Sequence, residues 1–411
     1  MKQISTVIVG AGQAGLAMSK CLADRSIAHV VIERGEVANS WSHERWDSLK
    51  LLTPNWQTRL PGFAYAGSDS DGFMSMPQIV SHLQFYAQKI TAPIEERTTV
   101  LSATAHGTGY CVQTSRGNWY CDNLVIASGA CAQVRQPQFA QSIPNHITQL
   151  TPLNYRNPSQ LGPGGVLVVG ASATGVQLAL EMNAAGHKVI LAAGQHIRVP
   201  RQYRGFDIQW WMDRTGVLDM GLDEVDDPNR ARRVPSLQLI GSKARPIMDL
   251  NALQADGVEI VGRLAGIRDG RALFSGSLTN HCALSDLKMN RLLDGFDDWA
   301  AAHKLENIAA PHRHAATSVS SNPRLQYDLN TGSIGTIVWA TGYQPNFSWL
   351  QLPVFDSKGR LQHDSGVVAP GLYVLGLPFL RRRKSALLDG VGGDAEALAD
   401  HLTLHATTHA A

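Results

Sequence analysis

Val7-Ile8-Val9-Gly10-Ala11-Gly12-Gln13-Ala14-Gly15 is the stretch on which the fold turns. Its three β-branched residues predict a short buried strand. The glycines follow at once in G-x-G-x-x-G spacing, and the small residues of 16–23 predict a helix. His29-Val30-Val31-Ile32 predicts a second strand, which ends on Glu33. Strand, glycine turn, helix and strand within about 30 residues is the setting that a dinucleotide fingerprint requires. There Gly10 permits the tight turn and Gly12 lets the backbone approach a pyrophosphate. Gly15 lets helix and strand pack closely, and the positive end of the helix faces the anion. Glu33 stands where a carboxylate accepts a hydrogen bond from a ribose hydroxyl. Arg34 beside it joins the expected cofactor-binding set.

The pattern returns further along. Val166-Leu167-Val168-Val169 leads into Gly170-Ala171-Ser172-Ala173-Thr174-Gly175, then a predicted helix over 176–185 and a strand over 188–191. Each unit also has a closing echo. Asn123-Leu124-Val125-Ile126-Ala127-Ser128-Gly129 matches Thr336-Ile337-Val338-Trp339-Ala340-Thr341-Gly342 in pattern, an apolar strand ending in a small-residue turn. An internal repeat of this kind predicts an α/β protein with two Rossmann-like nucleotide-binding units. The four prolines from Pro144 to Pro163 read as a connection between them. Residues 200–250, with Trp210 and Trp211, read as an insertion that no minimal Rossmann unit contains.

Composition narrows the function. Lys plus Arg number 36 and Asp plus Glu 34, a net charge of +2, which is too balanced for a nucleic-acid protein. Charged residues are 17% against ~25% in an ordinary soluble chain, and the apolar content supports a large core. The five cysteines are odd in number and scattered. That argues against a disulfide scaffold and for a reducing, cytoplasmic setting. No run reaches the roughly 18 apolar residues of an integral membrane segment. His401, His405 and His409 fall at helical spacing in the tail and read as solvated, so no metal site is expected.

Ser172 replaces the middle glycine of the second fingerprint but is small enough to admit a phosphate. It does not make a nucleophile elbow, which needs G-x-S-x-G, so a hydrolase is excluded. The position matching Glu33 is Ala193, or Ala192 with the strands offset by one. Arg198, Arg201 and Arg204 follow it. A missing carboxylate with arginines nearby suits the 2′-phosphate of NADP better than the bare ribose of NAD.

In chain order the sequence presents Gly10-x-Gly12-x-x-Gly15, Trp41-Ser42-His43-Glu44-Arg45-Trp46-Asp47, Thr53-Pro54-Asn55-Trp56, Gly170-x-Ser172-x-x-Gly175 and Ala340-Thr341-Gly342-Tyr343. This order resembles the flavin-containing monooxygenases over nearly the whole chain. The segments Gly371-Leu372-Tyr373-Val374-Leu375-Gly376 and Leu388-Asp389-Gly390-Val391-Gly392-Gly393-Asp394 resemble a bacterial oxidoreductase subgroup of that family. The resemblance implies FAD in the first unit and NADPH in the second. It implies a discontinuous FAD domain, residues 1–158 and 343–411, with the NADPH domain, 159–342, inserted into it and carrying a helical insertion around 200–250. It extends the cofactor-binding set to Trp41, Trp46, Gly129, Thr341, Gly342, Asp389 and Gly390.

The implied reaction passes hydride from NADPH to FAD, adds molecular oxygen at flavin C4a, and transfers an oxygen atom to a nitrogen, sulfur or carbon centre of a small organic substrate. Asn55 is the expected catalytic residue, a neutral donor toward the flavin-bound oxygen. Trp46 and Trp56 either wall the flavin ring or fill core. The run Arg381-Arg382-Arg383-Lys384 is either a solvated face or a phosphate contact. One departure stands out. The family's F-x-G-x-x-x-H-x-x-x-aromatic pattern, anchored on Tyr155, falls on Asn145, Ile147 and Thr151. Without the histidine, leaky coupling is expected, and Tyr155 argues against a Baeyer–Villiger enzyme. A disulfide reductase would share the architecture, but Cys21, Cys111, Cys121, Cys131 and Cys282 form no CxxC pair. An FAD-dependent NAD(P)H reductase or oxidase that oxygenates nothing stays open, as does a homodimer.

Overall fold

The computed structural model describes residues 2–409, with side chains to residue 404. The side chains of His405 and His409 lie outside the described residues. Two sheets with parallel cores carry the two fingerprints. In the first, strands run in the order Val367–Ala369, Leu372–Val374, Gly117–Ile126, Lys2–Val9, His29–Ile32 and Ile94–Glu95. All neighbours from Leu372–Val374 to Ile94–Glu95 are parallel. A hairpin, Val100–His106 and Gly109–Thr114, extends this sheet beside Gly117–Ile126. Strand Leu372–Val374 comes from the far end of the chain, so the chain leaves this sheet, builds the second, and returns. Helix Val391–His409 packs against the first fingerprint helix, Gln13–Asp24.

The second sheet is wholly parallel, in the order Thr148–Leu150, Ile334–Trp339, Gly165–Val169, Val189–Ala193 and Glu259–Gly262. Gly165–Val169 and Val189–Ala193 are buried at every position, as strands covered on both faces must be. Thr148–Leu150 belongs to this sheet, although the proline-rich stretch around it reads as linker and the first unit was expected to run to residue 158. Its pairing to Ile334–Trp339 is the cause, and that partner is too distant in sequence to show. The chain passes between the sheets twice, and the passages pair as an antiparallel ribbon, Gln133–Val134 with Tyr343–Gln344. Arg135 N–H donates to Gly342 O at 2.9 Å, and the Thr341 hydroxyl donates to Arg135 O.

The insertion is less helical than expected. It holds a small hairpin, Gln202–Tyr203 with Phe206–Asp207, and two short helices, Ile208–Arg214 and Pro228–Ala231. The helical mass lies beyond it, in Leu278–Ala302, a helix of 25 residues. Trp211 is fully buried, stacked on Phe296 of that helix at 5.6 Å, and its Nε1–H donates to Tyr203 O at 2.7 Å. Trp210 stacks on Phe206 at 4.1 Å. The tryptophan pair therefore builds a local core with Met289 and Leu293. Among the described residues no helix is long and apolar enough to cross a membrane.

Candidate active site between two dinucleotide units

The two fingerprints fold alike. Gly10 and Gly170 hold φ of 107° and 111°. A Cβ there would press on the carbonyl oxygens of Ala127 and Ala340, at 2.6 and 2.3 Å. At Gly15 and Gly175 a Cβ would fall 1.8 and 1.7 Å from the carbonyl oxygens of Gly10 and Gly170, so nothing larger than hydrogen fits. The middle positions differ in residue and share a backbone: Gly12 has φ −84° and ψ −171°, Ser172 φ −79° and ψ −175°. Each immediately precedes its helix, and neither side chain caps it. A Cβ at Gly12 would meet nothing within 4 Å. That leaves open backbone before the helix N–H groups, the cradle that a pyrophosphate needs.

At the neighbouring strand end Glu33 is buried and accepts the N–H groups of Ala11 at 2.8 Å and Gly35 at 3.0 Å. These fix its carboxylate at the end of the second strand, beside the first glycine turn. Arg34 turns away to an ion pair with Glu44. Gly129, at φ 87° with open space around it, lies in the turn that follows the closing strand Gly117–Ile126.

Beyond the pyrophosphate cradle three segments converge. The short 3-10 turn Asn55–Gln57 leads to Arg59, which pairs with Asp389 at 2.7 Å. Gly392 lies against Pro61, and Gln13 Nε2–H donates to Ala386 O at 3.0 Å. Gly390 is required for close packing, since a Cβ there would sit 2.0 Å from Lys384 O. Around this junction Asn55 Oδ1, both amide atoms of Gln57, Thr58 Oγ1 and Asp389 Oδ2 are buried without hydrogen-bond partners. A buried polar group left so costs about 1–3 kcal/mol, and such a group in a native fold calls for a ligand or an ordered water. The edge of an isoalloxazine, with carbonyls and ring nitrogens, meets that need, so these residues fit a flavin. Burial pushes the carboxyl groups of Asp389 and Asp394 up from their ordinary range.

Asn55 itself is oriented otherwise than expected. Its Nδ2–H donates to Asp69 O at 2.8 Å, and the atom left unpartnered is its acceptor, Oδ1. Gln57, which the sequence reading passed over, offers a free donor as well as a free acceptor. The only signal for it was its place two residues after Asn55. Trp41 donates from Nε1 to Gln13 Oε1 at 3.0 Å and lines a cavity of about 180 Å³ between the units, with Trp46, Leu51, Cys131, Thr174 and Tyr343. Trp46 otherwise belongs to the second unit's core, beside Tyr155 and Val176. It anchors the units to each other. Thr341 and Gly342 serve the connecting ribbon.

Arg198 and Arg201 do not face a nucleotide. Arg198 is buried, with Nε–H and Nη2 on Asp249 at 2.8 and 2.7 Å and Nη1–H on Asp286 at 2.7 Å. Arg201 is buried against Asp207 at 2.8 Å, with its guanidinium 4.3 Å above the Phe73 ring. Arg204 pairs with Asp297 at 2.8 Å. Their charges are spent inside the protein. The Arg381–Lys384 run is likewise a clamp: Arg382 and Lys384 pair with Asp219 of the insertion at 3.6 and 2.9 Å.

The cysteines are free. Burial pushes the thiols of Cys21 and Cys121 up to about 12 and that of Cys282 up to about 11, and it raises that of Cys131. Thiolate chemistry at neutral pH is thereby disfavoured. Among the described residues no group of three His, Cys, Asp or Glu is placed to hold a metal ion.

A family model described as pyridine nucleotide-disulphide oxidoreductase matches residues 7–205. A CzcO-like oxidoreductase of Geobacillus kaustophilus is 31% identical over 410 residues, covering 98% of this chain and 99% of that one. The chain belongs to the CzcO-like oxidoreductases. Indole-3-pyruvate monooxygenase YUCCA6 of Arabidopsis thaliana is 29% identical over 214 residues, 48% of this chain and 50% of that one. The flavin-containing monooxygenase of Stenotrophomonas maltophilia superposes with a TM-score of 0.68 at 18% identity, covering 99% of this chain and 100% of that one. The fold is thus that of the two-dinucleotide flavin monooxygenases, as the order of motifs implied, and the protein is an oxidoreductase.

Two variants test the placement of the flavin. Gly12→Val has room in the bare protein, so it should retain native circular dichroism while losing bound flavin, read from the yellow absorbance. Gln57→Leu removes two unpartnered polar atoms. It should raise the Tm of the flavin-free protein and shrink the further Tm gain on adding FAD. A Gln57→Leu protein with an undiminished FAD gain would place Gln57 away from the flavin.

Proposed function

We propose that this oxidoreductase is an NADPH-dependent FAD monooxygenase acting on a nitrogen, sulfur or carbon centre of a small organic substrate. The observation that carries this reading is the largely apolar cleft between the units, walled by Trp41, Trp46, Leu51 and Tyr343 and without a cysteine pair. Oxygen transfer needs a dry site, and thiol–disulfide exchange needs a thiolate. The similarity to a plant monooxygenase over half the chain supports it.

When bound, the flavin supplies hydride acceptance and reaction with molecular oxygen. The chain's own residues bind and orient. Backbone N–H groups at the start of helix Gln13–Asp24 hold the pyrophosphate, and Glu33 holds the ribose. Asn55, Gln57 and Thr58 orient the ring edge through the atoms that are otherwise unpartnered. In the second unit Ala193 leaves no carboxylate at the ribose end, which favours the phosphorylated nicotinamide cofactor.

The NADPH-oxidising protein separates this reading from an oxidase or reductase. Hydrogen peroxide per NADPH should fall, and an oxygenated product appear, when the right member of a panel of amines, sulfides and indoles is added. Some peroxide should persist, because Thr151 stands where the family resemblance places a histidine. Peroxide, or no reduced oxygen at all, accounting for every NADPH under all substrates would establish the oxidase or reductase instead.

A further inference from the structure

With Arg198, Arg201 and Arg204 committed to aspartates, the second unit lacks the 2′-phosphate contact that its sequence suggested. Val9 pairs with Ile32 in the first sheet and Val169 with Ala192 in the second. Ala193 therefore stands where Glu33 stands. Ile32 pairs in turn with Glu95, and Ala192 with Val261. Gly262 therefore stands where Glu96 stands. The first unit sets two carboxylates at its ribose end: Glu33, and Glu96, which accepts the Val37 N–H at 2.9 Å. The second unit sets none.

Instead, the residue after Gly262 is Arg263, whose side chain lies across Gly194. A Cβ at Gly194 would meet Arg263 Cγ and Cδ at 3.3 Å. The turn beneath is fixed, because the Gly194 carbonyl is bonded to His196 Nδ1 at 2.9 Å. Among the described residues Arg263 is exposed and its guanidinium has no hydrogen-bond or carboxylate partner. The adjacent long helix Leu278–Ala302 carries no acid in its first turn, so nothing there competes for the guanidinium. Strand Val189–Ala193 ends on the edge of the sheet that carries Gly170, the edge where the adenosine ribose of a dinucleotide lies.

We infer that Arg263, lying over Gly194 at the ends of strands Val189–Ala193 and Glu259–Gly262, binds the 2′-phosphate of the nicotinamide cofactor. This rests on reading the second fingerprint as a nicotinamide-dinucleotide site. The absent Cβ at Gly194 leaves room for both the guanidinium stem and the ribose. The absent carboxylates at Ala193 and Gly262 remove the repulsion that the first unit would exert on a phosphate. A planar guanidinium suits a dianionic phosphate in two-pronged geometry.

Isothermal titration of the FAD-loaded protein with NADP+ and NAD+ tests this without turnover. Charge-assisted contacts of this kind are worth about ten- to a hundredfold in affinity. Arg263→Gln should weaken NADP+ by that factor and leave the Kd of NAD+ unchanged. Gly194→Asp should do the same, because the new carboxylate would pair with Arg263 and repel the phosphate. An unchanged Kd for NADP+ in Arg263→Gln, or a parallel loss of NAD+ binding, overturns the assignment while leaving the dinucleotide site standing. Failure of the unaltered protein to bind either dinucleotide overturns the site itself, and the assignment with it.

Discussion

One steric constraint underlies both units: the helix after each glycine turn lies so close to the turn that a carbonyl oxygen occupies the place of a side chain. At Gly15 and Gly175 that oxygen would be within 1.8 and 1.7 Å of a Cβ. This contact draws the helix down onto the strand and aims its first N–H groups past Gly12 and Ser172. The anion cradle is thus a product of packing, and a change at the third glycine would reach the site by moving the helix. The same geometry occurs twice because the same spacing occurs twice, and Ser172 shows how narrow the requirement is. The middle position needs an extended backbone and a small side chain, not glycine as such.

The second determinant is topological. Because strand Leu372–Val374 returns to the first sheet, the start of helix Val391–His409 arrives beside the turn Asn55–Gln57. Residues far apart in the chain thereby gather a set of buried, unpartnered polar atoms. The inter-sheet ribbon and Trp46 tie the second unit to the first. The two passages between the sheets pair with each other, which sets the two dinucleotide units side by side.

What could be read from the sequence was what is local in it. The fingerprints, their strands and helices, and Glu33 follow from spacing over a few residues. The arginines could not be read, because their partners are remote: Asp249 is 51 positions from Arg198 and Asp286 is 88. An arginine cluster after a nucleotide strand therefore looks the same whether it faces solvent or a buried carboxylate. Arg263 was invisible for the complementary reason, since only the parallel pairing of Val189–Ala193 with Glu259–Gly262 brings it to Gly194. The orientation of Asn55 could not be read either, because it depends on Asp69 O across a loop. Strand Thr148–Leu150 hid among prolines because edge pairing, not side-chain pattern, makes it a strand.

The central claim is that the two dinucleotide units work on one another across the cleft. Rapid anaerobic mixing of the FAD-loaded protein with NADPH measures this directly, through the yellow absorbance of the oxidised flavin. The expected result is bleaching stoichiometric with flavin, slower with NADH at equal concentration. Flavin that stays oxidised while NADPH is bound would contradict it, since the two cofactors would then occupy the protein without meeting.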